Sequence, residues 1–329
     1  MRKRVLILGG AGYIGCVLVS KLLDRGYEVV VVDRLIHGNA LFPSDRLTLH
    51  RADIRDRLAV ARAAHGCTGA VHLAGVSVDG AIAIPRALAA AINLDSFEPV
   101  VQACIEAGVE RFLFASTCSV HGNRSVGPVY ETAIPEPNTL YGQWKLACEE
   151  TLSHYANLLE TVVLRAATTC GPSPRQRFDL LVNRMVASAY FKRRICIPAA
   201  DAIRPSIHIE DLADAYSMLL EGASSAVAGE IFHCAYENHP VRETAALVQQ
   251  AMSFDVKIES LSQGDQRSYS IDSSKITNRI GFRPRRRVTD AVEALRRLFE
   301  GNHLSDALTS SKYDNRAAEA LAFSGKSAV

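Results

Sequence analysis

A phenol and an ammonium stand four residues apart in Tyr141-Gly142-Gln143-Trp144-Lys145. On a helix, positions i and i+4 share a face, so both head groups can reach one bound ligand and manage a proton on it. Spacing alone does not separate that arrangement from a solvated helical face, where Tyr and Lys also recur. Near the N-terminus, an apolar run at residues 5–8 leads directly into Gly9-Gly10-Ala11-Gly12-Tyr13-Ile14-Gly15, with spaced glycines at 9, 12 and 15. A strand feeding such a turn and then a helix lets a pyrophosphate approach the backbone and meet the N–H groups of the helix N-terminus. The next apolar run ends in Asp33, where a carboxylate accepts hydrogen bonds from both adenosine ribose hydroxyls and repels a 2′-phosphate, which favours NAD. Arg34 points the other way, because a guanidinium can pair with the extra phosphate of NADP. Asp53-Ile54 is placed to meet the adenine edge, although Asp53 taken alone reads as a helix N-cap.

The elements that must position these groups follow from periodicity. Short β-branched or apolar runs at 5–8, 28–32, 47–51, 70–73, 111–115 and 161–164 alternate with amphipathic stretches near 13–25, 55–65, 84–107 and 141–158. Near-continuous apolar strands alternating with helices predict a parallel sheet covered on both faces, a doubly wound α/β domain of the Rossmann type over 1–170. Beyond residue 170 the chain is richer in Pro and Arg, with shorter helices predicted at 176–190, 210–222, 240–252, 272–280 and 288–300. This reads as a smaller, mainly substrate-binding region over 171–300, with some segments returning to the first domain. Residues 301–329 show little periodicity and are expected to be a tail that is mobile or packs late.

Composition excludes several classes. With 48% hydrophobic and 22% charged residues among 329, the chain has ordinary globular usage and enough length for a large core. A formal charge of +2 provides no concentrated basic surface, so neither a nucleic-acid nor an anionic-membrane partner is expected. The eight cysteines are scattered without CxxC or metal-ligand spacing, which reads as reduced core thiols and no metal site. The apolar run after Arg2, Lys3 and Arg4 breaks at Gly9-Gly10, too early for a signal peptide or a membrane span. A cytoplasmic enzyme is expected.

Together with His72-Leu73-Ala74-Gly75, Asn93, Phe114-Ala115-Ser116-Thr117, residues 165–172 and Arg204-Pro205-Ser206-Ile207-His208-Ile209-Glu210-Asp211, these motifs resemble the extended short-chain dehydrogenase/reductases. Within them the resemblance is to the nucleotide-sugar epimerases and dehydratases, over about residues 4–300. It implies that Thr117, Tyr141 and Lys145 form the catalytic trio. A free tyrosine, with a pKa near ~10, becomes a useful base when an ammonium and a nicotinamide cation favour its phenolate. Cofactor contacts are implied for Gly9, Gly12, Tyr13, Ile14, Gly15, Asp33, Arg34, Asp53 and Ile54, then for Leu73, Ala74, Gly75, Asn93, Ser116, Tyr141 and Lys145. Substrate contacts are implied for Ser77, Thr117, Asp179 and Leu180, with Arg204 and Arg267 on a diphosphate. A homodimer through helices around 87–92 and 147–152 is implied as well.

The sequence also departs from the family. Its 4,6-dehydratases place Asp-Glu directly after the catalytic Thr, where this chain has Cys118-Ser119. Thr168 stands where many relatives carry a sugar-phosphate Asn, and His121 replaces a usual Tyr, as a packing residue or a substrate contact. His72 reads as a buried structural histidine. The implied reaction is epimerisation of a nucleotide-diphosphate sugar at C4 through a 4-keto sugar, with NAD bound throughout. The alternatives are a 4-ketoreductase or dehydrogenase with exchangeable NAD(P)H, a dehydratase, or a non-catalytic NAD-binding regulator.

Overall fold

In the computed structural model, residues 3–76, 84–124, 127–261 and 267–323 are described. The N-terminal half runs β1 (Arg4–Leu8), α1 (Tyr13–Asp24), β2 (Glu28–Asp33), β3 (Leu47–Arg51), α2 (Arg57–Ala64), β4 (Gly69–His72) and α3 (Arg86–Ala90). A π turn (Ala91–Asp95) leads into α4 (Phe97–Glu106), followed by β5 (Arg111–Thr117), a 3₁₀ turn (Cys118–His121), β6 (Pro128–Val129), α5 (Leu140–Ser153) and β7 (Glu160–Ala166). Then come β8 (Thr168–Cys170), α6 (Leu181–Lys192), β9 (Arg194–Pro198), β10 (Ile203–His208), α7 (Ile209–Glu221), α8 (Ser224–Val227), β11 (Glu230–Cys234) and β12 (Glu237–Pro240). The chain closes with α9 (Val241–Gln250), β13 (Lys257–Leu261), β14 (Ser270–Ile271), α10 (Ser274–Ile280), α11 (Val288–Glu300) and α12 (Asn315–Phe323).

Seven strands form one parallel sheet in the order β11-β7-β5-β4-β1-β2-β3. Strand order reverses between β1 and β4, and in such sheets the crevice beyond the strand C-termini at that point receives the ligand. The apolar runs of β1 and β2 serve both faces. Val5, Ile7, Val29 and Val31 join α1 and α7 in one cluster, while Leu6, Leu8, Val30 and Val32 join α2, α4 and α5 in another. Alternate side chains of a strand point to opposite faces, so a run with no polar position has to be covered twice. A third cluster, including Val186, Val241, Val248, Leu295 and Phe299, packs α6, α9 and α11 into the C-terminal region.

Later segments complete the first sheet. β11 pairs with β7 as an edge strand, and α7 lies beside α1, where Lys21 bridges Glu210 at 2.9 Å and Asp214 at 2.8 Å. The helix expected at 84–107 is interrupted. Pro99 has no N–H to give to Asp95, so the ladder widens into the π turn before α4 begins, and the Ser96 hydroxyl donates to the Ile92 carbonyl at 2.8 Å. The helix expected at 176–190 starts only at Leu181. Asn183 accepts from Gly171 N at 2.9 Å and donates to Arg177 O at 2.9 Å, which holds the preceding residues as a loop. Past Gly301 there is more regular structure than composition suggested: Tyr313 is buried against Phe178, whose N–H donates to Tyr313 O at 2.8 Å, and α12 follows.

Candidate active site

The glycine turn sits at the C-terminal end of β1 and is shaped by close approaches. Gly9 has φ +82°, and a Cβ there would lie 2.7 Å from Ala74 Cα, so β1 and the turn after β4 meet only because the side chain is missing. A Cβ on Gly15 would strike Gly9 O at 2.5 Å, so α1 can pack on the turn only with glycine there. Gly12 caps α1 without a side-chain hydrogen bond, which leaves the first N–H groups of the helix for an anion. The Tyr13 side chain turns away from the glycine turn. Its ring is buried, and its hydroxyl donates to Gly171 O at 2.6 Å, away from the turn. Ile14 is partly buried against the α1 and α7 cluster.

Asp33 ends β2 with its carboxylate fixed by two backbone donors, Ala11 N at 3.0 Å and Leu35 N at 2.8 Å. Burial raises its pKa, opposed by those two hydrogen bonds and by Arg175. Arg34 is drawn sideways, with Nε 3.4 Å from Asp53 and the guanidinium 4.6 Å over the Phe323 ring. The N-cap reading of Asp53 is corrected: Asp56 caps α2 by accepting from Ala59 N at 3.0 Å, while Asp53 chelates the Arg55 side chain. Ile54 is buried beside it. Leu73-Ala74-Gly75 extend from β4, and Asn93 in the π turn clamps the next residue, accepting from Val76 N at 2.9 Å and donating to Val76 O at 3.0 Å. A Cβ on Gly75 would sit 2.8 Å from the Asn93 amide oxygen, so that clamp requires glycine.

The expected trio converges at the end of β5 and the start of α5. Thr139 caps α5 by accepting from Gly142 N at 3.1 Å, which places Tyr141 in the first turn, where the helix dipole favours a phenolate. A Cβ on Gly142 would be 3.1 Å from Ser119 O, so this glycine lets α5 press against the turn after Thr117. Lys145 lies one helical turn on, its Nζ 5.6 Å from the Tyr141 ring centroid and donating to Ala115 O at 2.8 Å. Burial lowers the Lys145 pKa to about 8, with Cys148 and Glu149 opposing. Thr117 donates to Ser119 Oγ at 3.1 Å, and Arg267 Nη1 donates to the same oxygen at 3.2 Å. Ser119 therefore joins the Thr117 hydroxyl to a distal arginine. Arg204 and Arg267 both lie close enough to Tyr269 to oppose the rise in its pKa that burial causes.

Behind the trio lies a buried ionic network that the sequence reading did not anticipate. Ser116 turns its hydroxyl to Glu149, which makes three hydrogen bonds with Arg165, the shortest 2.6 Å, with both side chains under 5% exposed. The Ser116 hydroxyl is thus engaged by Glu149, and what Ser116 can offer a cofactor is its backbone. His121 is fully buried, 2.9 Å from His233, and burial lowers its pKa to about 3, so it packs inside as a neutral ring. His72 is structural as expected, packed among Phe97, Phe112 and Phe114. Glu149 follows Lys145 by four residues, a spacing that could have exposed it.

Asp179 and Leu180 stand apart from the trio at the entry to α6. The Asp179 carboxylate accepts from Arg177 at 2.7 and 3.0 Å, and it lies near enough to Tyr13 and His37 for its charge to favour the protonated form of each. Leu180 packs partly buried into the α1 and α7 cluster. Ser77 lies outside the described residues. Among the described residues no His, Cys, Asp and Glu group has metal-site geometry, and no helix is long and apolar enough to cross a membrane.

A parallel sheet with an open glycine turn at its reversal, an acidic strand end and a Thr, Tyr and Lys trio defines a dinucleotide-dependent catalytic fold. Comparison with known proteins makes this specific. The family model for the NAD dependent epimerase/dehydratase family matches residues 5–235. A UDP-glucose 4-epimerase of Rhizobium meliloti is 30% identical over 67% of this chain and 74% of its own length, and one of Azospirillum brasilense is 26% identical over 88% and 89%. Among solved structures, a Thermus thermophilus UDP-glucose 4-epimerase in complex with NAD superposes with a TM-score of 0.80 at 28% identity, covering 91% of this chain and 99% of that one. A dTDP-glucose 4,6-dehydratase from Streptomyces venezuelae with NAD bound gives 0.81 at 25% identity, covering 91% and 98%. The chain belongs to the NAD-dependent epimerase/dehydratase family. Its cofactor is NAD, and the uncapped α1 N-terminus with the fixed Asp33 carboxylate fits that group.

Proposed function

We propose that the protein inverts C4 of a nucleotide-diphosphate sugar through a transient 4-keto sugar. The observation that carries this reading is the residue pair after Thr117. Cys118 is fully buried, its thiol donates to Arg165 O at 3.1 Å, and burial pushes its pKa well up, so it offers no acid to a sugar. Ser119 has no carboxylate. The Asp-Glu pair with which family dehydratases eliminate water across C5 and C6 therefore has no counterpart at these positions. The curated relatives named above as UDP-glucose 4-epimerases support the same choice.

In this reading Tyr141 takes the proton of the C4 hydroxyl, with the Lys145 ammonium and the α5 N-terminus stabilising the phenolate. Thr117 shares a hydrogen bond with that hydroxyl and orients it. The bound nicotinamide supplies a reversible hydride acceptor. Tyr141 then returns the proton once the 4-keto sugar has turned its other face. Arg204 and Arg267 offer planar paired donors to the diphosphate, which moves Arg267 from Ser119 to substrate. A homodimer through the outer faces of α3 and α5 is part of this proposal, and light scattering showing only monomer would remove it.

The experiment is proton NMR of the purified protein with a panel of UDP- and dTDP-sugars and no added cofactor. The C4 epimer is expected to accumulate from one of them. A Tyr141→Phe variant is expected to keep its NAD and lose turnover by about 10³-fold. Formation of a 4-keto-6-deoxy sugar, or turnover only with added NAD(P)H, would overturn the reading.

A further inference from the structure

The loop at 171–177 crosses from β8 to α6 and docks on the first turn of α1. Tyr13 donates its hydroxyl proton to Gly171 O at 2.6 Å, and Ser173 Oγ donates to Tyr13 O at 2.7 Å. Within this loop Arg175 is 4% exposed, and none of Nε, Nη1 and Nη2 has a hydrogen-bond partner. A guanidinium carries five donors and remains charged, so burying it without an acceptor is costly unless a ligand supplies one. Arg34 Nη1 and His37 Nδ1, just beyond Asp33, are buried and orphaned as well. Five nitrogen atoms around the end of β2 thus lack hydrogen-bond partners.

The charged groups nearby do not fill that need. Arg177 and Asp179 on the same loop are paired with each other at 2.7 Å. Both Asp33 oxygens already accept from backbone N–H groups. Glu319 of α12 is close enough to influence Arg175, and no hydrogen bond joins them. Burial lowers the Arg175 pKa to about 10, which still leaves it cationic at neutral pH. Beside it, α1 is twelve residues long and starts at Gly12 with no side-chain cap.

We propose that Arg175 is a cofactor-binding residue, its guanidinium reaching in from the second half of the chain to clamp the diphosphate of NAD against the N-terminus of α1. A guanidinium presents two parallel donors to a phosphate, and the helix terminus presents backbone N–H groups to the same anion. The cofactor then ties the loop at 171–177 to the glycine turn, so leaving the site requires breaking contacts to both halves of the chain. The inference concerns the cofactor alone and stands whichever sugar reaction the site performs.

The test is calorimetric titration of the full-length, nucleotide-depleted protein with ADP, adenosine and 2′,5′-ADP, comparing wild type, Arg175→Gln and Arg175→Lys. Arg175→Gln is expected to weaken ADP by about 10- to 100-fold, the range for losing a charged hydrogen-bond partner, while adenosine binding stays within about twofold. Arg175→Lys is expected to lie between, since it keeps the charge and loses the paired geometry. Without nucleotide, Arg175→Gln should melt at or above the wild-type temperature, because an unpaired buried charge is gone. Unchanged ADP binding, equal loss of adenosine, or a lowered melting temperature without nucleotide would overturn the proposal. A loss larger for 2′,5′-ADP than for ADP would also overturn it, by moving the arginine to a 2′-phosphate. If Arg175→Gln does not fold, the Arg175→Lys arm alone decides, with ADP weakened and adenosine unaffected as the expected result.

Discussion

Lys145→Met keeps most of the side-chain volume and removes an ammonium that is only 7% exposed. Burial lowers that ammonium's pKa from 10.5 to about 8. At roughly 1.4 kcal/mol per pH unit, holding the charge inside costs about 3 kcal/mol at pH 7. The lost hydrogen bond to Ala115 O offsets about 1 kcal/mol, which leaves the variant about 2 kcal/mol more stable than wild type. The sign with pH follows from the unfolded chain binding more protons than the folded one between pH 8 and 10.5. Stability from this group therefore rises with pH through that window, and the destabilisation is full only below it. At pH 9 the advantage of the variant should shrink to about 1 kcal/mol. Urea unfolding followed by the fluorescence of Trp144, the single tryptophan, reads this directly, because that ring is buried beside position 145. Buried thiols with raised pKa values titrate in both proteins and cancel in the difference. Turnover of the variant should fall by about 10²-fold or more. A variant less stable than wild type at pH 7, or an advantage that does not change by pH 9, would refute the buried-ammonium reasoning.

Two further substitutions probe the scaffold. Gly9→Ala must hold an alanine at φ +82° with its Cβ 2.7 Å from Ala74, so a loss of about 2 to 4 kcal/mol is expected in calorimetry, together with less NAD released on denaturation. Glu149→Gln leaves the buried Arg165 guanidinium without a counter-ion, and unfolding should show a loss of about 3 to 5 kcal/mol that Arg165→Met on the same chain largely restores.

What the sequence disclosed depended on whether the signal was local. The apolar runs of β1 and β2 announced a sheet covered on both faces, and glycine spacing with Asp33 announced the nucleotide turn, because each is written within a few consecutive residues. β11 escaped notice, since Ile231-Phe232-His233-Cys234 is too short and mixed to read as a strand and acquires its place only by pairing with β7. The acidic residues were ambiguous for a related reason. Asp53 and Asp56 are both suited to cap α2, and only the geometry shows which one accepts Ala59 N. Asp179 read as a substrate residue, and its ion pair with Arg177 and its place near Tyr13 depend on how α6 folds back on α1. The Glu149 and Arg165 pair was similarly hidden, because it joins α5 to β7, and the lack of a partner for Arg175 shows only once the fold encloses it.

The proposed chemistry requires that hydrogen leave C4 and return to C4 within one active site. A nucleotide sugar carrying deuterium at C4 tests this, with NMR and mass spectrometry of substrate and product and unlabelled NAD in excess in solution. The expected product is inverted at C4 and retains its deuterium there, with no label in the free cofactor. Deuterium appearing in the soluble NAD pool, or solvent hydrogen entering at C5, would contradict that chemistry.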